Sequence, residues 1–240
     1  SEGSYGMNKG VVYFSCDPLY YENHGRALVD SCLKYGENVI VNIDTPTHYV
    51  DKDAMEEGVV FTNTNFVAEY PNAQKRTVWA SSRFLHMPKH NHSGMLILDA
   101  DCFLRKPIDW SDFDGVDYSL FLRDPLPGTV GLEKEGSRVA AGAVYVKRVF
   151  QDFFASNLKN ILNANLNHYS NAWFIDQLSL YDLYKNVFDE YEHRTNSFFN
   201  FKQMPQKYID WEFTPDSTVW TGKGNRKTQG NYLNERSRNT

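Results

Sequence analysis

Met95-Leu96-Ile97-Leu98-Asp99-Ala100-Asp101-Cys102-Phe103-Leu104 decides how the rest of this chain is read. Four consecutive apolar residues, after a polar run ending in Gly94, predict a strand buried on both faces. Two aspartates follow where that strand should end, and in open α/β sheets ligands bind beyond the carboxyl ends of the strands. Asp-x-Asp at such a point offers hard, closely spaced oxygens suited to Mg²⁺ or Mn²⁺ with a phosphate as co-ligand. The same spacing at Asp51 and Asp53, and at Asp112 and Asp114, has no apolar strand before it. Those two pairs read as solvated loop carboxylates.

Working outward, residues 11–15 form a first apolar run, broken by Asp17 and Pro18. A helix is expected from about 21 to 35, ended by Gly36 as a C-cap. Strands are expected at 38–43 and 59–64, with a polar, acidic surface connection at 45–58. A helix over 73–87 is stopped by Pro88 and leads into the central strand. Beyond it, 117–123 and 143–146 read as strands, and 150–166 and 171–184 as helices. The stretch 125–138, rich in Pro, Gly and charge, reads as a long loop, with 128–138 a candidate lid. From Tyr191 the chain is aromatic and irregular, through Phe198, Phe199, Phe201, Tyr208, Trp211 and Trp220. Alternating strands and helices predict one Rossmann-like α/β domain, with a mostly parallel central sheet flanked by helices.

The 240 residues, 41% of them hydrophobic, suffice for a sizeable core. A net charge of -5 argues against a nucleic-acid partner. Neither an apolar run of about 20 residues nor a signal peptide is present, so no transmembrane segment and a cytoplasmic protein are expected. Cys16, Cys32 and Cys102 have no metal spacing and read as reduced core thiols. Residues 1–6, before Met7, look like an expression-tag remnant.

Two further constellations stand out. Thr221-Gly222-Lys223-Gly224-Asn225-Arg226-Lys227 places two glycines among three cations, a composition that lets backbone and ammonium or guanidinium donors approach phosphate oxygens. It fits no P-loop frame, and a solvated basic turn is the alternative. Asp176-Gln177 is a polar pair after the apolar Trp173-Phe174-Ile175, either a solvent-facing strip or a site.

With these pieces in place the chain resembles the GT-A nucleotide-sugar glycosyltransferases, and within them the retaining family 8 that includes glycogenin and bacterial lipooligosaccharide galactosyltransferases. Phe14-Ser15-Cys16-Asp17-Pro18-Leu19-Tyr20 resembles the family's first strand-to-loop segment, Arg83-Phe84-Leu85 its Arg-Leu segment, and Leu96 to Asp101 its Leu-Tyr-Leu-Asp-x-Asp. Ala141-Gly142-Ala143-Val144-Tyr145-Val146 resembles its Ser-Gly-Val strand, and Asp176-Gln177 its Asp-Gln pair. The resemblance implies one glycosyltransferase domain over 7–227, followed by a tail at 228–240. It implies donor contacts from Asp17 and Tyr20 to a uracil base, and from Arg83, Asp99, Gly142, Gly222, Lys223, Gly224 and Lys227. It also implies Mn²⁺ (or Mg²⁺) on Asp99 and Asp101, and Asp176 and Gln177 at the reacting sugar.

The expected activity is metal-dependent transfer of a hexose, with retention, from a nucleotide sugar to an unknown glycan, lipid or protein acceptor. A UDP-sugar is favoured and GDP-mannose stays open. Thr221 stands where the family has a metal-binding histidine, and Ala141 where it has a polar donor ligand. Two other readings remain: a haloacid-dehalogenase-type phosphatase, which also uses Asp-x-Asp after a strand, and a glycan-binding module without chemistry. A dinucleotide enzyme is disfavoured, because no Gly-x-Gly-x-x-Gly follows the first strand.

Overall fold

The computed structural model describes residues 9–189 and 199–240. The remnant at 1–6, the domain start at 7 and the aromatic stretch from Tyr191 to Phe198 lie outside the described residues. In chain order the strands are β1 (Val11–Cys16), β2 (Asn38–Asp44), β3 (Val60–Thr64), β4 (Gly94–Leu98), β5 (Cys102–Leu104), β6 (Tyr118–Leu122), β7 (Val139–Lys147), β8 (Phe201–Gln203) and β9 (Val219–Thr221). Seven of them form one sheet, ordered β3-β2-β1-β4-β7-β6-β8. Strands β3 to β4 run parallel, β7 opposes both its neighbours, and β8 is parallel to β6. The mostly parallel sheet expected from the alternation is what forms.

Both faces of that sheet are covered, which is why β1 and β4 are buried along their whole lengths. On one face Val12, Phe14, Leu96 and Leu98 pack against α1 (Arg26–Lys34) and α2 (Lys52–Glu56). On the other, Val11, Tyr13, Met95 and Ile97 meet α3 (Lys75–Leu85), α5 (Gln151–His168) and α6 (Ile175–Tyr184). The period-two alternation along each strand makes this division. In chain order α4 (Gly131–Ser137) comes between α3 and α5, and the last element is α7 (Gly230–Arg238).

Several elements depart from the sequence expectations. The connection at 45–58 is not simply polar surface. Asp51 caps α2 through Ala54 N (3.3 Å), accepts from Tyr21 Oη (2.6 Å) and is buried. In the other spare pair Asp112 is likewise structural, accepting from Tyr208 and pairing with Lys207 Nζ at 2.6 Å, while Asp53 and Asp114 are exposed as expected. The loop expected at 125–138 contains α4, packed on α6 so closely that a Cβ on Gly136 would lie 3.3 Å from Leu178 N. Its two glycines hide the helix from propensity, and packing overrides them. The helix expected from 21 begins as a π-helical stretch, Tyr21–Gly25, before α1. α6 starts at Ile175, leaving 169–174 as a loop. Residues 228–240, expected as a tail, carry α7, whose Tyr232 is fully buried. No helix among the described residues is long and apolar enough to cross a membrane.

Candidate active site

Strands β1 and β4 pair from Val11↔Met95 to Tyr13↔Ile97, so both deliver their next residues to one edge of the sheet. Asp17 and Asp99 therefore open on common space. A cavity of about 260 Å³ there is lined by Asp17, Tyr20, Trp79, Arg83, Asp99 and Asp101. A second, of about 340 Å³, shares Arg83, Asp99 and Asp101 and continues past Gly142, Asp176 and Lys223. The acidic pair is the wall between them.

Strand β7 holds the centre. Its pairing with β6 slips between Leu120 and Phe121, leaving 141–143 without partners on that side. Such bulges commonly sit next to sites because they redirect the backbone. Here the Gly142 carbonyl accepts from Asp99 N (3.1 Å) and the Ala141 carbonyl from Arg83 Nη2 (3.1 Å). A Cβ on residue 142 would come within 3.3 Å of Asp99 Oδ2 and of Ile209 Cδ1, so glycine keeps the carboxylate and sheet close.

Arg83 is buried and its Nη2 reaches both Asp99 Oδ1 (3.0 Å) and Asp176 Oδ2 (3.3 Å). Asp176 is the more deeply buried of these two carboxylates, and burial, opposed by Arg83 and assisted by Asp99, raises its pKa to about 6. Its Oδ1 accepts from Gln177 N (2.9 Å). With its amide nitrogen turned inward, Gln177 donates to Gly136 O (3.3 Å) and Val139 O (3.2 Å). Gln177 is thus anchored to the α4–β7 junction while lining the second cavity.

Asp101 has a different environment. Tyr20 Oη donates to its Oδ2 (2.8 Å), and Lys227 Nζ lies 3.7 Å from the same oxygen and 3.0 Å from the tyrosine hydroxyl. Its Oδ1 is buried with no partner. Burial, then the neighbouring Asp99, pushes the Asp101 carboxyl up to about 7. Asp17 Oδ2 accepts from Tyr20 N (3.3 Å), which fixes the turn that brings Tyr20 to the acidic pair.

The cations arrive from the other end of the chain. Strands β5 and β9 form an antiparallel ribbon, Cys102↔Thr221 to Leu104↔Val219, which is continued by Gly222 N donating to Asp101 O (3.0 Å). This ribbon carries 222–227 to the site. A Cβ on Gly222 would lie 2.8 Å from Lys227 Cβ and 2.9 Å from Tyr232 Cζ, so a side chain there would displace the lysine. Lys223 lines the second cavity over the Trp211 ring at 4.7 Å, and burial then Arg123 lowers its pKa to about 8. Gly224, with φ +59, turns the strand end into a 3₁₀ stretch. Arg226 points away and faces Glu212 at 3.9 Å. Thr221 is buried and accepts from Cys102 Sγ (3.5 Å). The three cysteines are free and buried.

Sequence reasoning missed Tyr232, whose hydroxyl donates to the Asp101 carbonyl, and the aromatic lining of Trp79, Trp173 and Trp211. Tyr232 reaches the site through a contact distant in sequence, whereas Trp79, four residues before Arg83 on α3, and Trp173, three residues before Asp176, arrive with site residues already singled out. Among the described residues no three His, Cys, Asp or Glu side chains converge as a metal cluster.

No family model matches the sequence, and no curated protein matches it. Solved structures do. Mouse xyloside xylosyltransferase 1 superposes with a TM-score of 0.53 at 15% identity, covering 91% of this chain and 99% of that one. The glycosyltransferase GlyE of Streptococcus pneumoniae TIGR4 gives 0.52 at 12% identity, over 90% of this chain. The chain shares its fold with these glycosyltransferases. The chain spans about half, 55%, of the length of GlyE. In this fold the acidic pair lies at the end of β4, beside β1, where the strand order reverses. That is the switch point at which open α/β sheets take their ligands.

Proposed function

We propose that this chain is a nucleotide-sugar-dependent glycosyltransferase whose donor diphosphate lies at Asp99 and Asp101, with the nucleoside toward Asp17 and the sugar toward Gly142 and Asp176. The observation that carries this reading is the meeting of two cavities at one acidic pair bracketed by Arg83 and Lys227. A diphosphate joining a nucleoside to a sugar needs such a two-sided site.

The donor set fits Mn²⁺ or Mg²⁺ bound jointly with the nucleotide. Asp101 Oδ1 is an orphaned oxygen, Asp99 is about one-third exposed, and Mg²⁺ commonly takes one or two carboxylates with substrate phosphates. When bound, the ion neutralises charge that develops on the diphosphate. Lys223 and Lys227 supply charge-assisted hydrogen bonds to the same leaving group, and Arg83 holds Asp99 and Asp176 in place.

Gln177 has its nitrogen committed to two backbone carbonyls, and a carboxamide is a poor nucleophile, so we favour attack on the face from which the diphosphate leaves. The acceptor oxygen bonds to the anomeric carbon. The bond from that carbon to the diphosphate oxygen breaks, its electron pair stays on the diphosphate, and the acceptor's proton passes to that oxygen. The stereochemical outcome is retention. A UDP-sugar is the favoured donor, through Asp17 beside the nucleoside cavity.

Calorimetry of the wild type and Asp101→Ala with UDP-glucose, UDP-galactose and GDP-mannose, with and without Mn²⁺, tests this. Micromolar, Mn²⁺-dependent binding that vanishes in the variant supports the site and selects the sugar class. Binding of none of the three under either condition sinks it, and turnover of p-nitrophenyl phosphate would favour the phosphatase reading instead.

A further inference from the structure

The second cavity is lined by two tryptophans that are not equivalent. Trp211 is already occupied by the protein. Lys223 Nζ lies 4.7 Å from its ring centroid, the Arg123 guanidinium 5.7 Å, and Phe121 meets it edge-on at 5.8 Å. Trp173 is 49% exposed, and its ring meets Phe174 edge-on at 5.8 Å with an interplanar angle of 88°. It is held in the 169–174 loop, where the Ala172 carbonyl accepts from Thr77 Oγ1 (3.4 Å) and Gln74 N donates to Ser170 O (3.1 Å). A half-exposed indole on a braced loop, lining a cavity with Asp176 and Gln177 on its wall, gives the mix of aromatic surface and a few placed polar groups that ligand pockets have.

We propose that Trp173 is the stacking platform for a pyranose ring of a glycan acceptor. The statement rests on the glycosyltransferase reading only in calling that glycan an acceptor. A pyranose has an apolar C–H face rimmed by hydroxyl groups. Seated on the indole, the face leaves water while the rim meets the planar polar ends of Asp176 and Gln177. An alkyl chain in the same cavity would cover the Asp176 and Lys223 charges without a hydrogen bond, at a desolvation cost that hydroxyls avoid. Trp173 thus acts as the residue that selects a sugar over a lipid and turns its hydroxyl toward the donor.

Saturation-transfer NMR on the full chain tests this with methyl β-lactoside, methyl β-maltoside, methyl β-cellobioside, methyl β-xylobioside, octyl glucoside and a serine-containing hexapeptide, each with and without UDP. At least one disaccharide is expected to be saturated at its ring protons. Trp173→Ala should weaken that binding about tenfold or more, Trp173→Phe should restore most of it, and neither should change UDP affinity measured by calorimetry. Saturation of none of the disaccharides overturns the proposal. So does saturation undiminished in Trp173→Ala, or saturation confined to the octyl chain or the peptide. A protein that takes up a disaccharide through Trp173 and binds no nucleotide keeps the platform and sinks the transferase reading, which separates the two failures.

Discussion

The parallel half of the sheet and the C-terminal segment 209–239 meet at the acidic pair by opposite routes. In the parallel half, Asp17 and Asp99 follow directly from the ends of β1 and β4, and backbone pairing places both. In the C-terminal segment, Lys223, Lys227 and Tyr232 have no place in the main sheet. They reach the site because a three-residue ribbon, β5 with β9, ties the chain back beside Asp101. One region offers carboxylates on a rigid frame; the other brings cations and a buried tyrosine more than 100 residues away in sequence. The difference suggests that the acidic wall is built by the fold itself and its neutralisation by a strap laid over it.

The largest effect should come from the anchor of that strap. Tyr232 is fully buried against Phe103 at 5.1 Å, and its hydroxyl donates to the Asp101 carbonyl. Tyr232→Ala should cost about 3–5 kcal/mol in urea unfolding, as aromatic truncations in cores do. An unchanged unfolding midpoint with lost nucleotide binding would instead make the strap an independent flap, and the comparison would need redrawing.

Next comes Lys227, which shares Asp101 with Tyr20. Lys227→Met should weaken UDP binding about tenfold, the worth of one charge-assisted hydrogen bond. It should also tighten Mn²⁺ binding to the nucleotide-free protein, read by electron paramagnetic resonance, because Asp101 loses its built-in counter-charge. Unaltered UDP affinity would remove the strap from the donor site.

The smallest effect concerns pH. The Lys223 ammonium, lowered to about 8 by burial and Arg123, is present below that pH and lost above it. Affinity for UDP should therefore fall about threefold to tenfold between pH 7 and pH 9, and Lys223→Arg should flatten the profile because a guanidinium stays charged. A flat wild-type profile would show that Lys223 faces the acceptor side alone.

Residues 95–101 carry their own explanation: an apolar run long enough for a buried strand, then carboxylates where such a strand must stop. The Gly36 cap of α1 was equally legible, with φ +70 and Glu37 N bonded back to Cys32 O (2.9 Å). Helix α4 was not, since Gly131 and Gly136 weaken its local signal and its stability comes from the α6 surface. The spare aspartates Asp51 and Asp112 looked solvated because their tyrosine partners lie far along the chain or on another element.

Periodicity and strand-end chemistry determined six of the seven strands of the main sheet, its largely parallel sense and the position of Asp99 and Asp101, because these follow from interactions a few residues long, whereas β8 falls in the stretch that reads as irregular. Tertiary structure alone decided that Arg83 would bind Asp99 and Asp176 together, that Lys227 would neutralise Asp101, and that Trp173 rather than Trp211 would keep an open face. Each of those depends on which distant side chain fills the last few ångströms around a charge or a ring. Sequence spacing carries no record of that competition.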